Sequence, residues 1–429
     1  LNPLQAHDHF GQGITLEKQQ PIGVMSISPL FKLALPLVSS LALLNCAAIV
    51  NWHQESPDVV DPVEVAQTSQ EDLKAVPIIE GLEHPWAMAW LPNGDLLITE
   101  RPGRLRIVRN GILDPQAIAG VPEVSTATAQ QLFASQQGGL LDMALHPRFE
   151  ENRWVYFTYS HGTQAANRTR VARAIFDGEQ LRDWQVIFEV GQTKPGGQHF
   201  GSRLTWLPDQ TLLVSIGDGG NPPVQLEGSL IREQAQNLGS HLGKVIRIHD
   251  DGKVPADNPF VNNPEAAPEV WSYGHRNIQG LAYDPVTDQV WATEHGSRGG
   301  DELNLLEAGK NYGWPEVSHS KEYATGQPVA PVTSRPDVVD PLRVWTPAIA
   351  PSGLVIYRGN VYPDWQGTIF AGGLVERGIR HLQVDENNQV IREAAIAIGQ
   401  RVRDVRQGPD GYVYVLTDET NGQLLRLEP

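Results

Sequence analysis

Apolar residues fall on alternate positions in six separate stretches of the chain, and each stretch is interrupted by a turn-forming cluster before the alternation resumes. WAMAWLPNGDLLITE (Trp86 to Glu100) sets the pattern: a strand, a Pro-Asn-Gly turn, and a second strand ending in a threonine and an acid. RDVRQGPDGYVYVLTD (Arg403 to Asp418) repeats it around Pro-Asp-Gly. Between them come LDMALHPRFEENRWVYFTY from Leu141, SRLTWLPDQTLLVSIGD from Ser202, QGLAYDPVTDQVWATE from Gln279 and a looser SGLVIYRGNVYPDWQGTIFAG from Ser352. A period of two bounded by turn residues predicts β-hairpins. A hairpin cannot bury both of its faces alone. Six such units in series are best satisfied by radial packing, so the chain is expected to be an all-β, six-bladed β-propeller. Two stacked sheets are the alternative. A parallel α/β fold is excluded, because no helical periodicity separates the strands.

Composition agrees with a turn-rich fold, with 41 glycines and 32 prolines among 429 residues. The balance of 33 basic against 50 acidic side chains gives a formal charge of −17. Nucleic acid and anionic membrane surfaces need cationic partners, so neither fits. A small neutral or cationic substrate, or a bound divalent cation, fits better.

The N-terminal part reads differently. Residues 1–24 resemble neither a leader nor a domain. From Met25, Lys32 precedes an apolar run to Leu44 and small residues at Cys46 to Ala48, the pattern of a secretory signal over 25–48. The mature protein is therefore expected to be exported, to a periplasm, with no membrane span. Lipid attachment at Cys46, the single cysteine, is the alternative. Residues 49–75 are acidic and without period and predict a tether, so the propeller is expected over 76–429.

Loops at one end of a propeller converge on its axis, where residues distant in sequence can meet. KPGGQHFGSR places His199 among Gly196, Gly197 and Gly201, which permit close approach of a ligand, with Asp218 ending the partner strand of the same hairpin. A carboxylate there can orient an imidazole that acts as a general base. SYGHRNIQG supplies Arg276 and Asn277, suited to a polarised carbonyl or a carboxylate, or simply to a surface loop. The loop from Gly296 to Glu302 combines glycines with Asp301 and Glu302, an oxygen-rich setting that suits calcium without matching an EF-hand. Arg401 and Arg403, at i and i+2, share a face if extended and point to a polyanionic ligand or to a salt-bridged strand.

HFGSR with IGDGG, GHRNIQGLAY, EHGSRGGDELNL with GKNYGWP, WTPAIAPSG and RVRDVRQGPDGYVYVLTD occur in that order from about Ile79 onward. Together they resemble the soluble aldose sugar dehydrogenases that use pyrroloquinoline quinone (PQQ), the glucose/sorbosone dehydrogenase family. The resemblance implies a six-bladed propeller oxidising aldose sugars at C1 to the lactone and passing electrons to an external acceptor. It implies that His199 is the general base, Asp218 its orienting carboxylate, and Arg276 the stabiliser of charge developing on the quinone. Asn277, Arg401 and Arg403 match cofactor-holding positions. Asp301 matches a position near the sugar. The carbonyls of Gly296 and Ser297 match ligands of a catalytic Ca2+, and Glu302 and Tyr312 match carbonyl ligands of a second, structural calcium. Three positions depart from the pattern. Val375, in a loop expected between the fifth and sixth blades, stands where a lysine helps hold PQQ, with Arg377 the nearest substitute. Thr346 and Ala348 replace residues that cover the cofactor, and Ser297 stands where proline is common. A calcium-dependent lactonase-type hydrolase and a non-catalytic sugar- or protein-binding propeller are the competing functions.

Overall fold

Each strand of the alternating stretches feeds two cores at once. In Leu96–Glu100 all five residues are buried. Leu97 packs toward one neighbouring sheet, whereas Leu96 and Ile98 pack toward the other. Leu212–Ile216 behaves likewise, with Leu213 on one side and Leu212, Val214 and Ile216 on the other. Successive side chains of a strand point to opposite faces, so a strand apolar on both faces must be sandwiched between sheets.

The computed structural model describes residues 65–67, 73–121, 137–220, 224–226 and 228–429. They form a six-bladed β-propeller. The blades are antiparallel four-stranded sheets whose innermost strands are Pro85–Trp90, Leu140–Leu145, Leu204–Trp206, Ile278–Asp284, Pro351–Ile356 and Val402–Gln407. These strands neighbour one another in cyclic order, the last returning to the first. Six hydrophobic clusters, such as that of Tyr414, Leu416, Met88 and Ile98, fill the six gaps between adjacent blades.

The ring is fastened by its N-terminal strand. Lys74–Leu82 lies antiparallel on Gly422–Glu428, pairing Val76 with Arg426 and Leu82 with Gly422, so the outer strand of the sixth blade comes from the opposite end of the chain. Within the stretch expected to be a tether, Val65–Gln67 pairs in parallel with the outer strand of blade five, Val390–Ala397. The expected signal segment and Cys46 lie outside the described residues. Among the described residues, no helix is long and apolar enough to cross a membrane.

Innermost strands carry the feature that matters for the site. Their registers slip between Pro85 and Ala87, Leu140 and Met143, Ile278 and Gly280, and Val402 and Asp404. A bulge leaves an unpaired residue and re-aims its side chain. The residues so released include Trp86, Leu141, Gln279 and Arg403, and all four line the central cavity.

Candidate active site

The cavity at the hub has two adjoining lobes, of about 590 Å3 and 670 Å3, which share Gln137, Gln198, His295 and Ala350. His199 and Arg276 open onto the larger lobe. Arg401 and Arg403 line the smaller.

His199 is buried at a left-handed backbone position, with φ of 51°. Gln137 fixes its backbone N–H at 2.8 Å. Its Nδ1 lies 2.6 Å from Asp218 Oδ1. The other oxygen of Asp218 accepts from Trp314 Nε1–H at 2.9 Å, and Gly220 N–H donates to Oδ1 at 3.1 Å. Burial raises the Asp218 carboxyl, but His199 and Arg276 outweigh this and hold it below its ordinary value. An ionised Asp218 keeps the His199 proton on Nδ1, which leaves the Nε2 lone pair available to a ligand. Burial, followed by the nearby Arg276, lowers the His199 pKa, whereas Asp218 acts to raise it.

Arg276 is held from two sides. Its guanidinium donates to the carbonyls of His295, at 3.1 Å, and of Gly296, and it sits 5.2 Å from the Trp314 ring centroid. Its backbone N–H donates to Glu294. His295 donates Nε2–H to Pro351 O at 2.7 Å, and burial with Arg276 pushes its pKa down to about 3, so this ring stays neutral.

In the smaller lobe, Arg403 bridges Asp418 at 2.6 Å and Gln279 Oε1 at 3.1 Å, while its buried Nε has no hydrogen-bond partner among the described residues. Arg401, two-fifths exposed, stands 3.7 Å from the same Asp418. Arg101 joins them from blade one. Burial, partly opposed by Asp418, and then Arg403 and Arg401 push its pKa down to about 10. Three guanidiniums thus gather around Asp418, and the second acid of the lobe, Glu419, pairs with Arg377 at 3.9 Å. The arginine pair is salt-bridged to Asp418, and both residues line the open lobe.

Other expected residues sit apart from the open surface. Asn277 is fully buried beneath the lobes. Its Oδ1 accepts from Gly201 N–H at 3.1 Å, and its Nδ2 has no partner among the described residues. Asp301 borders the larger lobe, but Oδ1 accepts from Gly296 N–H at 2.7 Å and Oδ2 accepts from the N–H groups of Ile349 and Ala350, each at 2.8 Å. It therefore pins two loops together. Glu302 and Tyr312 line neither lobe and instead flank Glu294. Burial and then Glu294 push the Glu302 carboxyl up to about 8. Val375 lies in the turn between Ile369–Gly373 and Gly378–Val384, inside blade five rather than between blades five and six. Arg377 donates Nε–H to Gly399 O at 2.8 Å and lines neither lobe, so it does not reach back to replace the missing lysine. Arg203, fully buried, braces the hub through Asp404 at 2.9 Å and the Trp86 ring at 4.0 Å.

Sequence reasoning missed Arg101, Gln137, His295 and Trp314. Only His295, beside the glycine-rich loop, carried a local hint.

The family model described as glucose/sorbosone dehydrogenase matches residues 82–426. The chain belongs to this family. It is 76% identical over 411 residues to the uncharacterized protein slr1608 of Synechocystis, covering 94% of this chain and all of that one. It is 37% identical over 361 residues to the aldose sugar dehydrogenase YliI of Escherichia coli, covering 81% and 91% of the two chains. The PQQ-bound aldose sugar dehydrogenase of Streptomyces coelicolor superposes with a TM-score of 0.65 at 27% identity, over 83% of this chain and 98% of that one. This glucose/sorbosone dehydrogenase family member is an oxidoreductase of the sugar dehydrogenase kind.

Two groups implied by the family can be tested against these residues. A planar polycarboxylate fits the smaller lobe, where three guanidiniums crowd together and the buried Arg403 Nε has no partner among the described residues. The Gly296 loop turns a main-chain oxygen toward a cation, since the Gly296 carbonyl accepts from the Arg276 guanidinium, and a calcium ion there would compete with that guanidinium. Among the described residues no cluster of three acidic, histidine or cysteine side chains could cage a metal, so main-chain oxygens would have to do so.

Proposed function

We propose that the protein oxidises aldose sugars at C1 to the lactone, with PQQ held against Arg101, Arg401 and Arg403 and Ca2+ held by the carbonyls of Gly296 and Ser297. The observation that carries this reading is that an oriented imidazole and a cluster of guanidiniums open onto two lobes that share the lining residues Gln137, Gln198, His295 and Ala350. A lactonase would have no polyanion to hold.

His199 Nε2 takes the proton of the C1 hydroxyl as the C1 hydrogen leaves with its electron pair, so one proton and one hydride depart and the lactone carbonyl forms. Asp218 keeps His199 in the productive tautomer and stabilises the imidazolium. Arg276 supplies preorganised positive charge where negative charge grows during hydride departure. When bound, PQQ supplies a two-electron acceptor and calcium supplies Lewis-acid polarisation of its reacting carbonyl. Asp301 holds the calcium loop in place through Gly296. Arg101 provides a third cation in a chain that has Val375 where the family lysine stands. Glu302 and Tyr312 would offer main-chain carbonyls to a second, structural calcium. Export to a periplasm accompanies this function, with electrons passed to an external acceptor.

The test is a PQQ titration of purified protein in the presence of Ca2+, followed by absorbance, and then dye reduction on addition of an aldose. Saturable binding followed by aldose-dependent reduction is expected. Binding without turnover leaves a non-catalytic propeller, and absence of binding removes the reading.

A further inference from the structure

We propose that the larger lobe selects an aldose carrying an anionic group at the end remote from C1, and that Arg298 and Lys321 at its mouth hold that group. The inference rests on the larger lobe being the sugar site.

Arg298 and Lys321 face each other in an isolated antiparallel bridge. Arg298 N–H donates to Lys321 O at 3.0 Å, and Lys321 N–H returns to Arg298 O at 3.4 Å. Directly opposed residues present their side chains on one face, and like charges in that relation destabilise the pairing. Both side chains are exposed and line the lobe, and neither forms an ion pair among the described residues. The adjacent acid, Glu322, is taken by Arg232 at 2.7 Å. Asp301, the one carboxylate among the described lining residues, is saturated by three backbone N–H groups. The guanidinium of Arg276, deeper in the lobe, is engaged by two carbonyls.

A chain with a formal charge of −17 thus concentrates unpaired positive charge at one lip of its reaction cavity. Such a patch raises the local concentration of an anionic substrate and steers its approach. Tyr323 on the same lip is 52% exposed and offers a ring to the sugar's apolar face. With C1 directed to His199 on the same lobe, the opposite end of an aldose points to the mouth. A carboxylate or a phosphate meets the requirement, since both accept charge-assisted hydrogen bonds from Arg and Lys.

The test uses protein loaded with PQQ and Ca2+. Glucuronate, glucose 6-phosphate and glucose are compared by kcat/KM, and methyl glucuronide and methyl glucoside, which cannot be oxidised at C1, are compared by calorimetric binding. An anionic sugar is expected to exceed its neutral counterpart by roughly tenfold or more in both readouts, the scale of one charge-assisted contact. In the Arg298→Gln/Lys321→Gln double variant that ratio is expected to fall toward one. Preference for glucuronate identifies a carboxylate, and preference for glucose 6-phosphate a phosphate. A wild-type ratio near one in both readouts, or a ratio unmoved in the double variant, overturns the proposal. Should no aldose be oxidised, the proposed function fails, and the calorimetric comparison still decides whether the lip recognises anions.

Discussion

Trp314 Nε1 lies 2.9 Å from Asp218 Oδ2, a contact between residues 96 positions apart that leaves the other oxygen of the carboxylate to His199. The indole thereby fixes the rotamer of the group that fixes the base. Replacing Asp218 by Asn keeps the shape but removes the charge that stabilises a protonated His199, so kcat is expected to fall by about 10²- to 10⁴-fold. PQQ binding by absorbance should persist, because Asp218 does not line the cofactor lobe. A variant that kept wild-type kcat would remove the orienting and charge-stabilising role of Asp218.

A base must be neutral to act, and burial and Arg276 both lower the His199 pKa. Activity is therefore expected to rise with pH along an acid limb whose midpoint lies below the ordinary histidine value of about 6.5. Substituting Arg276 by Gln removes the larger of the two cationic influences that depress it, the other being Lys194, so that midpoint should move to higher pH in the kcat/KM profile, beyond any loss of rate. A midpoint that stayed put, or moved down, would contradict the proposed proximity of the two charges.

Much of the architecture could be read from the chain, because the two-residue period and the turn grammar are local properties. The six hairpins, the order of the blades and the position of His199 before its partner strand all follow from it. What escaped reading depends on closure. The strand Lys74–Leu82 has no signal that it belongs beside Gly422–Glu428, since that pairing is made by the ring and not by a turn. Arg101 follows an ordinary strand end in ITERPG, and only the ring brings it to Arg401 and Arg403. The bulges that aim Gln279 and Arg403 inward shift the apolar alternation by one residue, putting Val402 and Val405 in one cluster and Ile278 and Leu281 in another, a break too short to be told in sequence from a strand end.

Arg403 contributes to the cofactor lobe through a buried guanidinium whose Nε is unpartnered among the described residues. Its replacement by Gln should raise the PQQ dissociation constant by about 10- to 100-fold, the cost of a charge-assisted contact. The sugar KM at saturating PQQ should change far less, because the residue lines only the smaller lobe. A variant affected mainly in KM would move Arg403 to the substrate side. Because Arg403 also pairs with Asp418, a thermal melt of the cofactor-free variant separates lost binding from lost folding.

Main-chain oxygens hold a divalent ion without the cage of carboxylates that gives the tightest sites. Incubation with EDTA is accordingly expected to abolish turnover, and added Ca2+ to restore it. Metal-free protein, verified by elemental analysis, that oxidised aldoses at the original rate would eliminate the calcium role of Gly296 and Ser297.

Lys194 gives a prediction about stability that is independent of the reaction. It is 2% exposed, its Nζ donates to Gly196 O at 3.2 Å and lies 4.1 Å from the Phe200 ring centroid, and burial pushes its pKa down to about 7 against a weaker pull from Asp218. In the unfolded chain a lysine titrates near 10.4, so between about pH 7 and pH 10 the unfolded state binds the proton and the folded state does not. Stability contributed at this site therefore rises with pH across that window, and below pH 7 the full cost of burying the ammonium is present. Methionine in its place carries no charge to bury. The melting temperature of Lys194→Met, relative to the wild type, should be most favourable near pH 6 and should lose that advantage steadily toward pH 9.5. Packing differences would shift the two melting curves by a constant amount, so a margin that did not vary with pH would show that Lys194 is not the buried titrating group.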